Sequence, residues 1–146
     1  MKKILVTGEN SYIGTSFVTY MEQFKEEYEV ETISVRGDEW REKDFSNYDA
    51  ILHVAGIVHK KETSQNENSY YDVNVTLTEE LAKKAKSEGV KQFVFFSTIS
   101  VYGKIIGEIG KNSIEKPISY YGKSKLLAEK KLTSLETNDF NIAIIQ

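Results

Sequence analysis

Tyr121 and Lys125 stand four residues apart in PISYYGKSKLLAEKKL. At a helix start that spacing puts both side chains on one face, where they can meet in a shared site. A lysine ammonium beside a phenol favours the phenolate and draws the tyrosine pKa from about 10 toward the working range of a general acid/base. Thr98 lies just past the apolar run KQFVFFS, Lys91 to Ser97. If that run is a strand of an open α/β sheet, Thr98 falls outside its carboxyl end, where such sheets bind ligands. A polar strand cap is the plain alternative.

A second constellation opens the chain. Ile4, Leu5 and Val6 in KKILVTGENSYIG form a continuous apolar run, as expected of a strand covered on both faces. Gly8 permits a tight turn, Gly14 lets the next helix pack close to the strand, and the helix N-terminus presents N–H groups to an anion. Gly8, Asn10, Ser11, Tyr12, Ile13 and Gly14 are therefore the candidate pyrophosphate turn of a dinucleotide. A plain strand-turn-helix with no ligand is the competing reading.

The elements that must carry these groups follow from periodicity. Apolar residues from Tyr12 to about Glu27 recur at helical spacing. Glu29 to Val35 alternates as a second strand, with Arg36 at its carboxyl end. That position meets the adenosine ribose in dinucleotide folds, where an acid favours NAD and an arginine can hold the extra phosphate of NADP. Arg36 gives a slight lean to NADP, tempered by Asp38. Between Arg36 and Ala50 there is little room for a helix plus a strand, so that unit is expected to be shortened. Ala50 to Val54 is the next buried strand, and Ala55 and Gly56 are small enough for a cofactor to pass over the backbone. A polar loop, Lys60 to Ser69, precedes a helix from about Tyr71 to Ser87 that Gly89 stops. Lys91 to Ser97 and Phe140 to Ile145 complete an alternation of strands and helices. His53 and His59 have no carboxylate or cysteine cluster at ligand spacing, so no metal site is expected. His53, inside a strand, reads as a satisfied core histidine.

Several segments resemble the extended branch of the short-chain dehydrogenase/reductase superfamily, the NAD-dependent epimerase/dehydratase family, in collinear order over nearly the whole chain. TGxxSxIG is similar to its TGxxGxxG loop, except that Ser11 stands where the family has its middle glycine. Ser11 must then turn its side chain aside or donate its hydroxyl to a phosphate. HVAG, with Val54, Ala55 and Gly56, resembles the family's HxAG/HxAA segment, and STISVYG its S-S/T-x-x-V-Y-G stretch. YGKSKLLAE resembles the YxxxK helix and fixes Tyr121 rather than Tyr120 as the family's tyrosine, because Gly122, Ser124 and Lys125 align only in that register. The resemblance implies that Tyr121 exchanges a hydroxyl proton while hydride passes to C4 of the nicotinamide. It implies too that Thr98 orients the hydroxyl and that Lys125 tunes Tyr121 and bonds the nicotinamide ribose. Asp44 and Phe45 resemble the acidic-apolar pair that contacts adenine, although DFSNYD also reads as a simple turn. Asn74 matches a structural asparagine of the helix it sits on.

The chain has 146 residues, no cysteine, a net charge of -3 and one proline. Its length suits one domain with a real core. The scattered charge offers no basic face for nucleic acid, and the first apolar run is too short for a leader or a membrane span. The expectation is a soluble cytoplasmic protein, with residues 1–146 forming an α/β, Rossmann-like, doubly wound and largely parallel sheet with helices on both faces. The family's C-terminal substrate domain is expected to be lacking. The implied function is NAD(P)-dependent hydride transfer on a nucleotide-sugar, most of all epimerisation, with reduction or dehydration as variants. The implied assembly is a homodimer through the helices Tyr71 to Ser87 and Tyr121 to Leu135. A non-catalytic NAD(P)-binding module and a dimerisation module are the alternatives.

Overall fold

The computed structural model describes residues 1–58, 61–104 and 106–146. Strands β1 (Lys2–Thr7), β2 (Tyr28–Ile33), β3 (Ala50–His53), β4 (Gln92–Phe96) and β5 (Asn141–Ile145) form one sheet in the order β2-β1-β3-β4-β5. Every neighbouring pair is parallel. The order reverses at β1, whose neighbours are β2 on one side and β3 on the other. In such a sheet the crevice beyond the carboxyl ends of β1 and β3 is where a ligand binds. This is the doubly wound Rossmann-type architecture expected from the sequence.

Side-chain alternation builds the core. Leu5, Ile51 and Phe93 lie in register across β1, β3 and β4, and all three are fully buried. Against this row pack Leu81, Ala82 and Ala85 of α3 (Thr78–Ser87) and Ala128 and Leu132 of the last helix, Tyr120–Thr133. Each large apolar residue removed from water here contributes roughly 1.5–3 kcal/mol. α1 (Tyr12–Met21) packs along β2, capped by Ser11 at its start. It is shorter than its periodicity suggests. A single 3-10 turn over Glu22–Phe24 ends it where the sequence becomes a charged run.

Between β2 and β3 the shortened unit consists of one 3-10 turn, Glu39–Arg41, whose Trp40 is buried in the core. The segment before α3 is helical earlier than its polar composition implies. α2 (Glu67–Tyr71) runs into a π-helical stretch, Asp72–Leu77, and then into α3. Buried Tyr70 and Asn74 anchor this segment, and α4 (Tyr120–Thr133) packs against it. His59, weighed above as a metal ligand, lies outside the described residues. Among the described residues no helix is long and apolar enough to cross a membrane.

Candidate functional site

A cleft of about 850 Å³ opens above β1, β2 and β3. Of the residues singled out in the sequence, Gly8, Asn10, Ser11, Arg36, Val54, Ala55 and Gly56 line it. Its floor depends on two glycines. Gly8 has φ +93°, and a Cβ there would stand 3.1 Å from the Ala55 nitrogen and from Val54 Cγ2. A Cβ on Gly14 would lie 2.8 Å from both the Gly8 carbonyl and Ser11 Oγ. The turn therefore brings bare backbone to the cleft, which a pyrophosphate requires. Ser11 Oγ turns back to accept the Gly14 N–H at 3.0 Å, the ordinary duty of an N-cap. That leaves the first-turn N–H groups of Tyr12 and Ile13 as the donors an anion would meet. The Tyr12 side chain itself is 86 % exposed and Ile13 41 %.

A larger hollow, about 920 Å³, is lined by Tyr102, Gly103, Lys104 and residues from Gly110 to Ile118. It contains neither the glycine turn nor the ends of β1 and β3, so size does not make it the dinucleotide site.

Two expected adenosine contacts are not where the resemblance puts them. Asp44 lines a separate polar pocket with Lys3, Glu31, Lys43, Asn47 and Tyr48. Phe45 is fully buried in the core beneath the Lys84 ammonium, and its N–H is held by the Glu88 carboxylate. With the intervening strand absent, the chain must descend from β2 toward the start of β3, and this pair travels down with it. Arg36 remains at the cleft. Asp38 instead pairs with Arg41 at 3.0 Å, and Arg41 also bonds Glu80 at 2.7 Å.

Thr98, Tyr121 and Lys125 converge at the ends of β3 and β4. Thr98 caps the 3-10 turn Ile99–Tyr102, accepting the Ser100 N–H at 3.1 Å, and its hydroxyl lies near enough to the Tyr121 phenol to favour the ionised form. Gly122 makes the approach possible, because a Cβ there would fall 2.6 Å from the Ser100 carbonyl oxygen. Lys125 Nζ donates to the Phe96 carbonyl at 2.5 Å, stands 4.3 Å over the Phe95 ring, and faces Gly56.

These contacts revise one expectation. The Tyr121 pKa is raised, not lowered: burial pushes it up and only the Thr98 hydroxyl opposes this. The ammonium expected to lower it is drawn to a β4 carbonyl instead. Burial brings Lys125 itself down to about 8, against an opposing pull from Glu129.

The surroundings hold these groups in place. Asn74, 1 % exposed, is bonded at both ends of its amide. Its Oδ1 accepts the Ile57 N–H at 2.9 Å, and its Nδ2 donates to the Ile57 carbonyl and to Ser124 Oγ. It thereby ties the loop after β3 to α4. His53 is fully buried, with Nδ1 2.6 Å from the Thr7 hydroxyl and Nε2 2.8 Å from the Thr78 hydroxyl. Burial, reinforced by Lys125, holds its pKa down at about 3, so it is a neutral core histidine.

Two acids escaped sequence reasoning. Glu62 spans the first turn of α4, accepting the N–H groups of Tyr120 and Tyr121 at 2.9 and 3.0 Å. No local pattern betrays a contact across so many residues. Glu129, four residues after Lys125, accepts from Ser97 Oγ, and that spacing was readable.

Fold and cleft together define a Rossmann-type α/β protein with an open cleft at the switch point of its sheet. More narrowly, the profile of the "NAD dependent epimerase/dehydratase family" matches residues 4–146, and the chain belongs to that family. A UDP-glucose 4-epimerase of Vibrio cholerae is 31 % identical over 168 aligned positions, covering 99 % of this chain and 51 % of that protein. The UDP-Glc/GlcNAc 4-epimerase of Campylobacter jejuni superposes with a TM-score of 0.81 at 26 % identity, over 99 % of this chain and 52 % of that one. The UDP-glucuronic acid 4-epimerase of Bacillus cereus, in complex with UDP-glucuronic acid and NAD, does so at 0.83 and 23 %, over 97 % and 55 %. The chain spans about half the length of these relatives.

Proposed function

We propose that residues 1–146 are the dinucleotide-binding domain of an NAD(P)-dependent nucleotide-sugar epimerase or a related reductase or dehydratase. The observation that carries this is the meeting of Tyr121 with Thr98, and of Lys125 with Gly56, at the rim of a cleft floored by glycine backbone. The cleft fits a dinucleotide because its turn closes only with glycine at Gly8 and Gly14, where Cβ atoms would strike Ala55, Val54 and the Gly8 carbonyl, and so presents bare backbone at Gly8. Gly8, Ser11 and the first-turn N–H groups of α1 would hold its pyrophosphate, and Arg36 and Lys125 its two ribose ends. When bound, such a cofactor supplies a nicotinamide that accepts and returns hydride.

The chain's own residues handle protons. Thr98 fixes the substrate hydroxyl beside Tyr121, whose phenolate form would take that proton and whose phenol form would return it. Lys125 holds a positive charge at the cofactor side of the pair, and Asn74 keeps the floor of the site and α4 together. Arg36 at the cleft, with Asp38 already paired to Arg41, favours NADP over NAD. The nucleotide of the sugar would be gripped by the part of such enzymes beyond the span matched here, and assembly as a homodimer would use α4, where Leu127 is exposed.

The test is titration of the chain with NADH and NADPH by fluorescence. Binding of both, with NADPH the tighter, is expected. No binding up to millimolar concentration would refute the dinucleotide reading.

A further inference from the structure

Lys125 and Glu129 are both buried on α4, at 5 % and 6 % exposure. One helical turn separates them, so they share a face. Each grips the end of β4: Lys125 Nζ donates to the Phe96 carbonyl, and Ser97 Oγ donates to Glu129 Oε1. Gln146, just past β5, donates from Nε2 to both Glu129 oxygens at 3.1 and 3.0 Å. Proton exchange between a substrate hydroxyl and Tyr121 gives this carboxylate no task. Yet a buried carboxylate is costly unless it is hydrogen-bonded and counter-charged.

The groups around Lys125 show what it answers to. From β4 the ammonium meets a carbonyl and the Phe95 ring, and on the other side it faces Gly56. His53 on β3 is close enough to feel its charge but is neutral at ordinary pH. On α4 the titratable neighbours are Tyr121, whose phenol keeps its proton, and Glu129, which pulls the lysine toward its charged form.

Building on the function proposed above, we infer that Glu129 is a positioning residue. Its carboxylate is the counter-charge of the buried Lys125 ammonium and the tie that holds α4 to the end of β4, where Thr98 follows Ser97. Removing the charge while keeping the shape should release the lysine proton at lower pH without dismantling the fold.

The experiment is an NMR titration of the lysine side chains in the intact chain, with Lys125 assigned by its absence in Lys125→Met. In Glu129→Gln the Lys125 midpoint is expected to fall by about one pH unit, the effect of removing one nearby charge in a protein interior. An unchanged midpoint would overturn the inference, since Gln can still accept from Ser97 and Gln146. If Glu129→Gln alone does not fold, the double variant Lys125→Met/Glu129→Gln decides. Recovery of cooperative unfolding is expected, because without the cation the anion is no longer needed, and failure to recover overturns the idea. A wrong functional reading would show separately, as wild-type chain that binds neither NADH nor NADPH while its lysine titration stays readable.

Discussion

Acid should unfold this protein through His53. The imidazole is wholly enclosed, stacked near Phe93 and Phe95, and bonded at both nitrogens by threonine hydroxyls. Its folded pKa of about 3 lies below the ordinary value of 6.5. Between those values the unfolded chain binds the proton and the folded chain does not, so stability is complete above pH 6.5 and is lost as pH falls toward 3. At 1.36 kcal/mol per unit the full effect is about 5 kcal/mol, and by pH 5 about 2 kcal/mol has gone. That smaller loss is still a large part of a typical net stability. It also precedes the range in which Glu31 and Glu79 matter, since Lys43 and Tyr48 for the one, and Lys131 and Lys83 for the other, hold their pKa values below 4.5. Urea denaturation at pH 7.5 and pH 5.0 measures the difference, which corresponds to a melting temperature lower by roughly 4–8 °C for a chain of this size. His53→Gln, which keeps hydrogen-bonding capacity without titrating, should show a much flatter profile. The reasoning is refuted if the wild type is equally stable at both values, or if His53→Gln loses as much as the wild type.

Three further outcomes are expected. Gly122→Ala should destabilise by about 1–2 kcal/mol in thermal or urea unfolding, because the clash with the Ser100 carbonyl outweighs the helix propensity that alanine brings; a melting temperature at or above wild type would contradict this. Ser11→Ala should cost about 1 kcal/mol as a lost N-cap and Ser11→Gly only a few tenths; loss of NADH affinity in the glycine variant would show that the hydroxyl serves a phosphate. Arg36→Ala should weaken NADPH far more than NADH in the fluorescence titration, whereas equal losses would make it a generic surface charge.

The strands were legible because buried parallel strands announce themselves as apolar runs. AILHV and KQFVFF lie within a residue or two of β3 and β4. The convergence of Thr98 with Tyr121 and Lys125 was legible because strand ends and helix spacing are local facts. What the sequence hid was set by distant partners. Phe45 goes to the core because no strand holds it above the sheet, and Glu88 takes its N–H. Lys125 turns toward the Phe96 carbonyl, a backbone group that leaves no mark in composition. Glu62 reaches α4 from a different loop altogether. The early helix start at Glu67 was masked by polar residues around buried Tyr70.

The π-helical stretch Asp72–Leu77 works as a phase shifter. One extra residue in the wider turn sets everything after it back by about 100° relative to a continuous α-helix. Asn74, inside the shift, reaches Ile57 and Ser124, while Leu81, Ala82 and Ala85, beyond it, still face the core. Deleting one residue from Asp72–Leu77 would restore regular hydrogen bonding to the helix and yet rotate either Asn74 or the leucine-alanine stripe out of place. Here the irregular helix lets one element serve the site and the core at once, so a change that idealised it would sacrifice one of the two.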